Sequence, residues 1–123
     1  MTPRSYFLAL QRAALATVFV ATCDISFQEI DATRCYISGI LHLANGFQLH
    51  VAEFAVVTDS VDRLKYRYHL QRADGRLLAR WDNAPHHPDV VTFPDHKHVA
   101  DGQVLPSPPM SLQHVLTEIP SML

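Results

Sequence analysis

The chain has 123 residues, of which 48% are apolar, so we expect residues 1–123 to form a single domain with a buried core. A net charge of −2 excludes a protein that binds nucleic acid or membranes through bulk charge, and any anionic ligand must be bound by a local patch. Only two cysteines are present, and no uncharged stretch reaches the ~18 residues of a membrane span, so we expect a cytoplasmic protein with no membrane partner.

The first thirty residues predict a helix followed by a strand. Residues 3–17 predict an amphipathic helix, because the apolar side chains of Phe7, Leu10, Ala14 and Val18 recur at helical spacing and Pro3 suits the first turn. From residue 18 to residue 30 apolar and polar side chains alternate, which is typical of a strand. We expect the helix to pack its apolar stripe against a sheet.

Residues 34–57 predict a β-hairpin with an Asn-Gly pair, residues 45–46, at its turn. Both residue types tolerate positive φ, so the pair favours a two-residue type I′ turn. Such a turn would place Ser38 opposite Glu53 and send His42 and His50 to opposite faces. Glu53 is a carboxylate within an apolar strand and must find a partner, and Ser38 is the candidate that this register supplies.

Residues 62–83 predict a second hairpin around an Asp-Gly pair, residues 74–75. Its register would place Tyr68 opposite Trp81 on an apolar face, and His69 opposite Arg80 on a polar face. Six of the ten Lys and Arg residues fall within residues 63–80. Two interpretations of the polar face stay open, a solvated outer surface and a surface that binds phosphate or RNA. The residues that would bind phosphate are Lys65, Arg67, His69 and Arg80.

The segment RWDNAPHHPDVVTFPDHKHV, residues 80–99, carries four of the eight histidines. Imidazole is the side chain whose pKa lies nearest neutrality, so clustered histidines suit proton transfer or metal ligation. Three prolines stiffen the segment in a non-helical conformation, which favours a loop that positions its side chains for function. The candidates for catalysis are His86, His87, His96, His98 and Lys97.

Residues 84–109 show no periodicity and contain six of the eight prolines, which predicts a long loop. Ser111 then favours the N-cap of a short helix over residues 112–119, which Pro120 would end. Together the elements predict an α+β fold: an N-terminal helix, a mainly antiparallel twisted sheet of about five strands, a Pro/His-rich loop and a short C-terminal helix. An exposed sheet edge or the N-terminal helix would allow a homodimer.

Several of these segments resemble the TumE-like family of small prokaryotic proteins. The similar segments are LKYRYHLQ at residues 64–71, ADGRL at residues 73–77, RWDNAPHHP at residues 80–88 and TFPDHKHV at residues 92–99. The resemblance implies the toxin of a bacterial toxin–antitoxin system, which inhibits growth and is neutralised by direct contact with a helix-turn-helix antitoxin. It supplies no reaction and no catalytic residue.

Three hypotheses for the activity stay open. In the first, the chain is a ribonuclease, since metal-free RNA cleavage needs a base, an acid and a cation near the phosphate. In the second, the chain binds a divalent metal such as zinc, because His-x-His on an extended segment presents both rings on one side. In the third, the loop is a non-catalytic binding module that docks a protein partner. The metal-ligand candidates are Asp82, His86, His96 and His98, with His87, Asp89 and Asp95 as further donors.

Overall fold

A computed structural model describes residues 1–123 as two helices on a seven-stranded sheet. The elements are α1 (Pro3–Leu15), β1 (Val20–Glu29), β2 (Arg34–Leu43), β3 (Gln48–Val57), β4 (Val61–Gln71), β5 (Leu77–Asp82), β6 (His96–Val99), β7 (Val104–Pro106) and α2 (Leu112–Glu118), which continues as a 3-10 turn (Ile119–Met122). The strands lie in chain order, and each pairs antiparallel with the next.

Both helices lie on one face of the sheet. Helix α1 packs across β1, β2 and β3 and also contacts α2. Its buried side chains and those of α2 join the inward side chains of the strands in a single hydrophobic core. The other face, which we call the open face, carries polar and half-buried side chains on β2 to β6. The core therefore supports the open face from behind.

The two predicted helices are confirmed, with small differences at their ends. Thr2 and Ser5 form a capping box at the start of α1, and Pro3 occupies its first turn. Helix α1 ends at Leu15, and Val18 is 97% exposed in the connection that follows. Ser111 caps α2, because its Oγ accepts a hydrogen bond from the backbone N–H of His114 at 3.2 Å. The side chains of Leu112, Val115, Leu116 and Ile119 are buried in the core.

The expected count of about five strands is too low, because seven are present. The additional strands are β6 and β7, and both lie within residues 84–109, where one long loop was expected. No apolar alternation marks either segment, so hydrophobic periodicity cannot reveal them. They form because the backbone of residues 96–99 pairs with β5, and β7 then pairs with β6.

Both hairpin turns differ from the predicted type I′ geometry. No residue other than glycine has positive φ, whereas a type I′ turn needs positive φ at both central residues. Gly46, at φ 88°, closes a three-residue loop in which the Leu43 N–H donates to Phe47 O at 2.9 Å. This loop is one residue longer than a type I′ turn, so the β2–β3 register shifts by one.

The register shift changes two predictions about the first hairpin. Glu53 lies opposite Ile37, so the expected pairing with Ser38 is wrong. His50 pairs with Ile40, two positions before His42, so both histidines lie on the open face and not on opposite faces. In the second hairpin a β-bulge between Leu70 and Gln71 compensates for a similar loop, and the predicted register is confirmed there.

Candidate functional site

Two rows of side chains cross the open face from β3 to β6. Antiparallel pairing aligns them, because residues directly opposite each other point to the same face. Each row begins on β3, includes an arginine on β4 or β5, and ends at a histidine of β6. The first row contains Ala52, Arg67, Asp82 and His96, and the second contains His50, His69, Arg80 and His98.

Three imidazoles and one carboxylate converge at the β6 end of these rows. The Nε2 atom of His96 lies 3.0 Å from Oδ1 of Asp82 and 3.1 Å from Nε2 of His98. The Nε2 atom of His98 lies 3.4 Å from Oδ2 of the same carboxylate. The ring of His87 approaches from the loop, with its centroid 4.9 Å from that of His96 and 5.4 Å from that of His98. We call these four residues the histidine cluster.

Two backbone groups orient the cluster. The carbonyl of Pro94 can only accept, so His96 donates its Nδ1–H to it over 2.8 Å, and the neutral ring then carries its lone pair on Nε2. The backbone N–H of Ala84 donates to Oδ1 of Asp82 at 2.9 Å. Nε2 of His96 therefore faces a carboxylate oxygen at 3.0 Å, and two unprotonated acceptors at that distance repel each other. A proton or a metal cation between them removes the repulsion.

Three histidines on the open face, His50, His69 and His98, have lowered pKa values. Burial lowers the pKa of His98; Asp82 opposes this effect, and Arg80 adds to the lowering. Burial, followed by the charge of Arg80, lowers the pKa of His69. The pKa of His50 is lowered in the same way by burial and by a nearby guanidinium. These rings are neutral at pH 7, where they can accept a proton or bind a cation.

An open cleft of about 630 Å³ lies beside the histidine cluster and shares Asp82 with it. Its cationic side chains are Lys65, Arg67 and Arg80, its aromatic ones include Tyr36 and Phe54, and His86 lies at its rim. A smaller depression of about 210 Å³ adjoins it and is lined only by polar side chains, namely His50, Arg67, His69, Gln71 and Arg80. The two depressions share Arg67 and Arg80, so one basic surface connects them.

The loop histidines occupy two different places. His87, His96 and His98 join the histidine cluster, whereas His86 is exposed and lines the cleft. Of the further metal donors expected from the sequence, His87 joins the cluster, whereas Asp89 and Asp95 lie outside it. Asp89 is exposed, and Asp95 accepts a hydrogen bond from the hydroxyl of Tyr66 at 2.6 Å.

Lys97, the cationic candidate of the loop, lies on the helix-covered side of the sheet. Strand alternation turns it away from the two histidines that flank it. Its ammonium group lies 5.0 Å from the ring centroid of Trp81 and 3.4 Å from a carboxylate oxygen of Glu118. The cations that face the cleft are those of β4 and β5.

Two aromatic residues of the cleft, Tyr36 and Phe54, were not predicted as site residues. Tyr36 lies opposite Phe54 in the β2–β3 ladder, and both point to the open face. The signal was present, since each alternates with buried neighbours along its strand. The pairing of Tyr36 with Phe54 was not predicted, because the predicted register of the first hairpin was wrong by one residue. Tyr66 and Tyr68, in contrast, are buried on the core side.

A second polar cluster lies behind the sheet, under α1, and we call it the Glu53 cluster. The carboxylate of Glu53 is fully buried and accepts hydrogen bonds from the hydroxyls of Tyr6 and Tyr68, the latter at 2.7 Å. Nε of Arg63 lies 3.6 Å from the carboxylate and donates to the hydroxyl of Tyr6 at 3.1 Å. Burial and the neighbouring carboxylate raise the pKa of both tyrosines. These residues, and not Ser38, satisfy Glu53.

Comparison with known proteins identifies one family. The family model described as toxin TumE matches residues 9–123. No match to a curated protein or to a solved structure was found. No helix in the structure has both the length and the apolar composition that a membrane span requires.

Proposed function

Because the chain belongs to the TumE toxin family, its role is that of a toxin, and we propose that it inhibits growth by cleaving RNA in the cleft beside the histidine cluster. One observation carries the proposal. Imidazoles and guanidinium groups meet at one open site, since His98 lies directly opposite Arg80 and His86 shares the cleft with Arg67.

The cleft matches a polynucleotide in charge and in shape. Lys65, Arg67 and Arg80 supply the positive charge that binds a phosphate backbone. Tyr36 is 39% exposed and, with Phe54, offers aromatic surface on which bases stack, worth about 1–3 kcal/mol per base. The basic surface stays local, which agrees with a chain whose net charge is −2.

The reaction is an internal transfer at phosphorus. The 2′-oxygen attacks the phosphorus, the bond to the 5′-oxygen breaks, and a 2′,3′-cyclic phosphate and a 5′-hydroxyl form. One imidazole takes the proton of the 2′-hydroxyl and another protonates the leaving 5′-oxygen. We assign these roles to His86, which lines the cleft, and to His98, which lies on the same face of the sheet opposite Arg80. Arg67 and Arg80 stabilise the charge that develops on the phosphoryl oxygens.

The test incubates the purified chain with total RNA, with and without EDTA, and identifies the ends of the products. We expect fragments with 5′-hydroxyl ends. His86→Ala and His98→Ala each lower the cleavage rate by about 10²–10⁴-fold, the usual contribution of a general acid or base. The matched control is His114→Ala, because His114 is an exposed histidine of α2, far from the cleft in the fold.

The same variants are then expressed without antitoxin. Wild type and His114→Ala arrest growth, whereas His86→Ala and His98→Ala fold but do not. Undiminished toxicity of both cleft variants contradicts RNA cleavage by these imidazoles.

A non-catalytic alternative has one observation in its favour. Val91 is 88% exposed and Phe93 is 44% exposed on the loop that carries His87. Exposed apolar side chains on a loop suit the docking of a protein partner. A toxin that acts by docking keeps its toxicity in the His86 and His98 variants and loses it in the double variant Val91→Ser/Phe93→Ser.

The family implies an antitoxin partner. We further propose that this antitoxin is a helix-turn-helix protein and that the toxin forms a homodimer through the edge of β1, a strand of 10 residues. Co-purification with the antitoxin and sedimentation of the isolated chain test the two proposals separately.

A further inference from the structure

We propose that the histidine cluster is a binding site for one divalent transition-metal ion, with Zn²⁺ as the best fit. The ligands are His87, His96, His98 and Asp82. The inference goes beyond RNA cleavage and does not depend on it, because a metal site is detected with the metal alone.

The separations between donor atoms match those around a single ion. A tetrahedral zinc site with bonds of about 2.0–2.1 Å holds adjacent ligand atoms about 3.3 Å apart. The Nε2 atoms of His96 and His98 lie 3.1 Å apart, and each approaches a different oxygen of Asp82, Oδ1 at 3.0 Å from His96 and Oδ2 at 3.4 Å from His98. The ligand atoms of His87, His96 and His98 all lie within 4.8 Å of one another. His87 lies on the loop, and its ligand atom has to approach by about 1.5 Å at most to reach the tetrahedral separation of about 3.3 Å.

The chemistry of the donors also favours a metal ion. The hydrogen bond from Nδ1–H of His96 to the carbonyl of Pro94 leaves the lone pair of Nε2 facing the cluster. Metal-bound histidines usually make such a hydrogen bond with the ring nitrogen that does not bind the metal. A shared proton would satisfy His96, His98 and Asp82, but it gives no role to His87, whose ring has no hydrogen-bond partner in the protein. A cation gives all four side chains the same role.

The support of the ligands is rigid where a metal site needs it. His96 and His98 project from β6, and Asp82 projects from the end of β5 directly opposite His96. His96 and Asp82 are almost fully buried. Imidazole with carboxylate is a donor set that suits Zn²⁺ and excludes Ca²⁺ and Mg²⁺, which prefer oxygen ligands. Three neutral rings and one carboxylate leave a bound Zn²⁺ with a net charge of +1, which favours an anion in the adjoining cleft.

The test titrates Zn²⁺ into the purified full chain after chelator treatment, by calorimetry, with Co²⁺ absorption as the probe of geometry. We expect one ion per chain, a Kd of about 1 μM or tighter, and the intense visible bands of tetrahedral Co²⁺. His87→Ala and His98→Ala each weaken binding by at least about 100-fold. Zn²⁺ raises the Tm of the wild type and leaves that of the two variants unchanged.

The neighbouring residue supplies the matched control. His86→Ala removes an imidazole of the same loop from outside the ligand set, and it binds Zn²⁺ as the wild type does. His87→Ala keeps the proposal testable if His98→Ala fails to fold, because His87 is only half-buried on the loop. The proposal is overturned by the absence of 1:1 binding, by equal loss in His86→Ala, or by unchanged binding in His87→Ala and His98→Ala. Since no RNA is present, these outcomes are independent of the proposed cleavage. The two proposals give His98 different roles, because a ring that binds Zn²⁺ through Nε2 cannot take a proton on that atom; RNA cleavage measured with and without EDTA separates the metal-free role of His98 from the metal-bound one.

Discussion

Two buried carboxylates lie on opposite faces of the same sheet, and their partners differ in kind. Glu53 on the helix-covered face accepts hydrogen bonds from two tyrosine hydroxyls and lies beside a guanidinium. Asp82 on the open face meets two imidazoles and one backbone N–H. The two carboxylates are similarly buried, since Glu53 is 0% exposed and Asp82 is 5% exposed. They differ in the groups that contact them.

The partners of the two carboxylates indicate that the Glu53 cluster is structural and that the histidine cluster is not only structural. Tyrosine hydroxyls with raised pKa values stay protonated at every physiological pH, so the donors of Glu53 never change state. Imidazoles exist as donor, acceptor or metal ligand, so the partners of Asp82 can change. The Glu53 cluster therefore joins α1 to the sheet, whereas the histidine cluster is available for chemistry.

The largest effect is expected from Glu53→Ala. Removal of the carboxylate leaves the hydroxyls of Tyr6 and Tyr68 without their acceptor and the guanidinium of Arg63 without its counter-ion, which costs about 3–5 kcal/mol of the free energy of unfolding. Asp82→Ala is the matched change on the open face and costs about 1–2 kcal/mol. Urea unfolding monitored by circular dichroism measures both. Equal losses would remove the distinction between the two clusters.

A moderate effect is expected from acidification. His50 faces Arg67, His42 and Gln48. His69 faces Arg80, Arg67, Gln71 and His50. Burial lowers the pKa of both histidines in the fold, and the charges of the neighbouring guanidinium groups lower it further. The unfolded chain, with histidine pKa values near 6.5, then binds more protons than the folded chain. The free energy of unfolding is therefore highest above about pH 6.5 and falls as the pH decreases through the lowered values.

Urea titrations between about pH 8 and about pH 5 check this dependence. The double variant His50→Gln/His69→Gln shows a flatter pH profile than the wild type, and His114→Gln serves as the control. The tyrosines of the Glu53 cluster add nothing to the slope, since their raised pKa values keep them protonated throughout this range. A double variant with the slope of the wild type would contradict the assignment.

The smallest effect is expected from Arg80→Gln. Nε of Arg80 donates to Nδ1 of His69 at 3.1 Å, and its charge contributes to the lowered pKa of that ring. Loss of the guanidinium raises the pKa of His69 towards its ordinary value, which an NMR titration of the imidazole resonances detects. Arg76→Gln, in an exposed turn, is the control. An unchanged pKa would show that burial alone sets the value.

Much of the fold was predictable because it is encoded locally. The caps and apolar stripes of both helices follow from neighbouring residues, and α1 and α2 begin where the sequence predicts. The pairing of Tyr68 with Trp81 was also predicted, although the turn was not, because a β-bulge restored the register. In the first hairpin no bulge compensates, so the same assumption about the turn moved Glu53 to the wrong partner.

The candidate site was predictable in composition and not in arrangement. The density of histidine in residues 80–99 and of arginine in residues 63–80 identified the right region. Sequence alone could not choose His87 over His86 for the cluster, because the path of a proline-rich loop depends on what it packs against. It also could not send Lys97 to the other face without knowing that residues 96–99 form a strand.

Four features follow from the order of residues along the chain: the family, the helices, the apolar face of the second hairpin, and the concentration of imidazole and guanidinium groups beside one another. Two features arise only in the folded chain: β6 pairs with β5, which brings His96 and His98 to Asp82, and Tyr6 and Tyr68 enclose Glu53. The physical reason is distance along the chain. Helix caps and strand alternation depend on residues a few positions apart, whereas both carboxylate clusters depend on hydrogen bonds between segments that meet only after the sheet has formed.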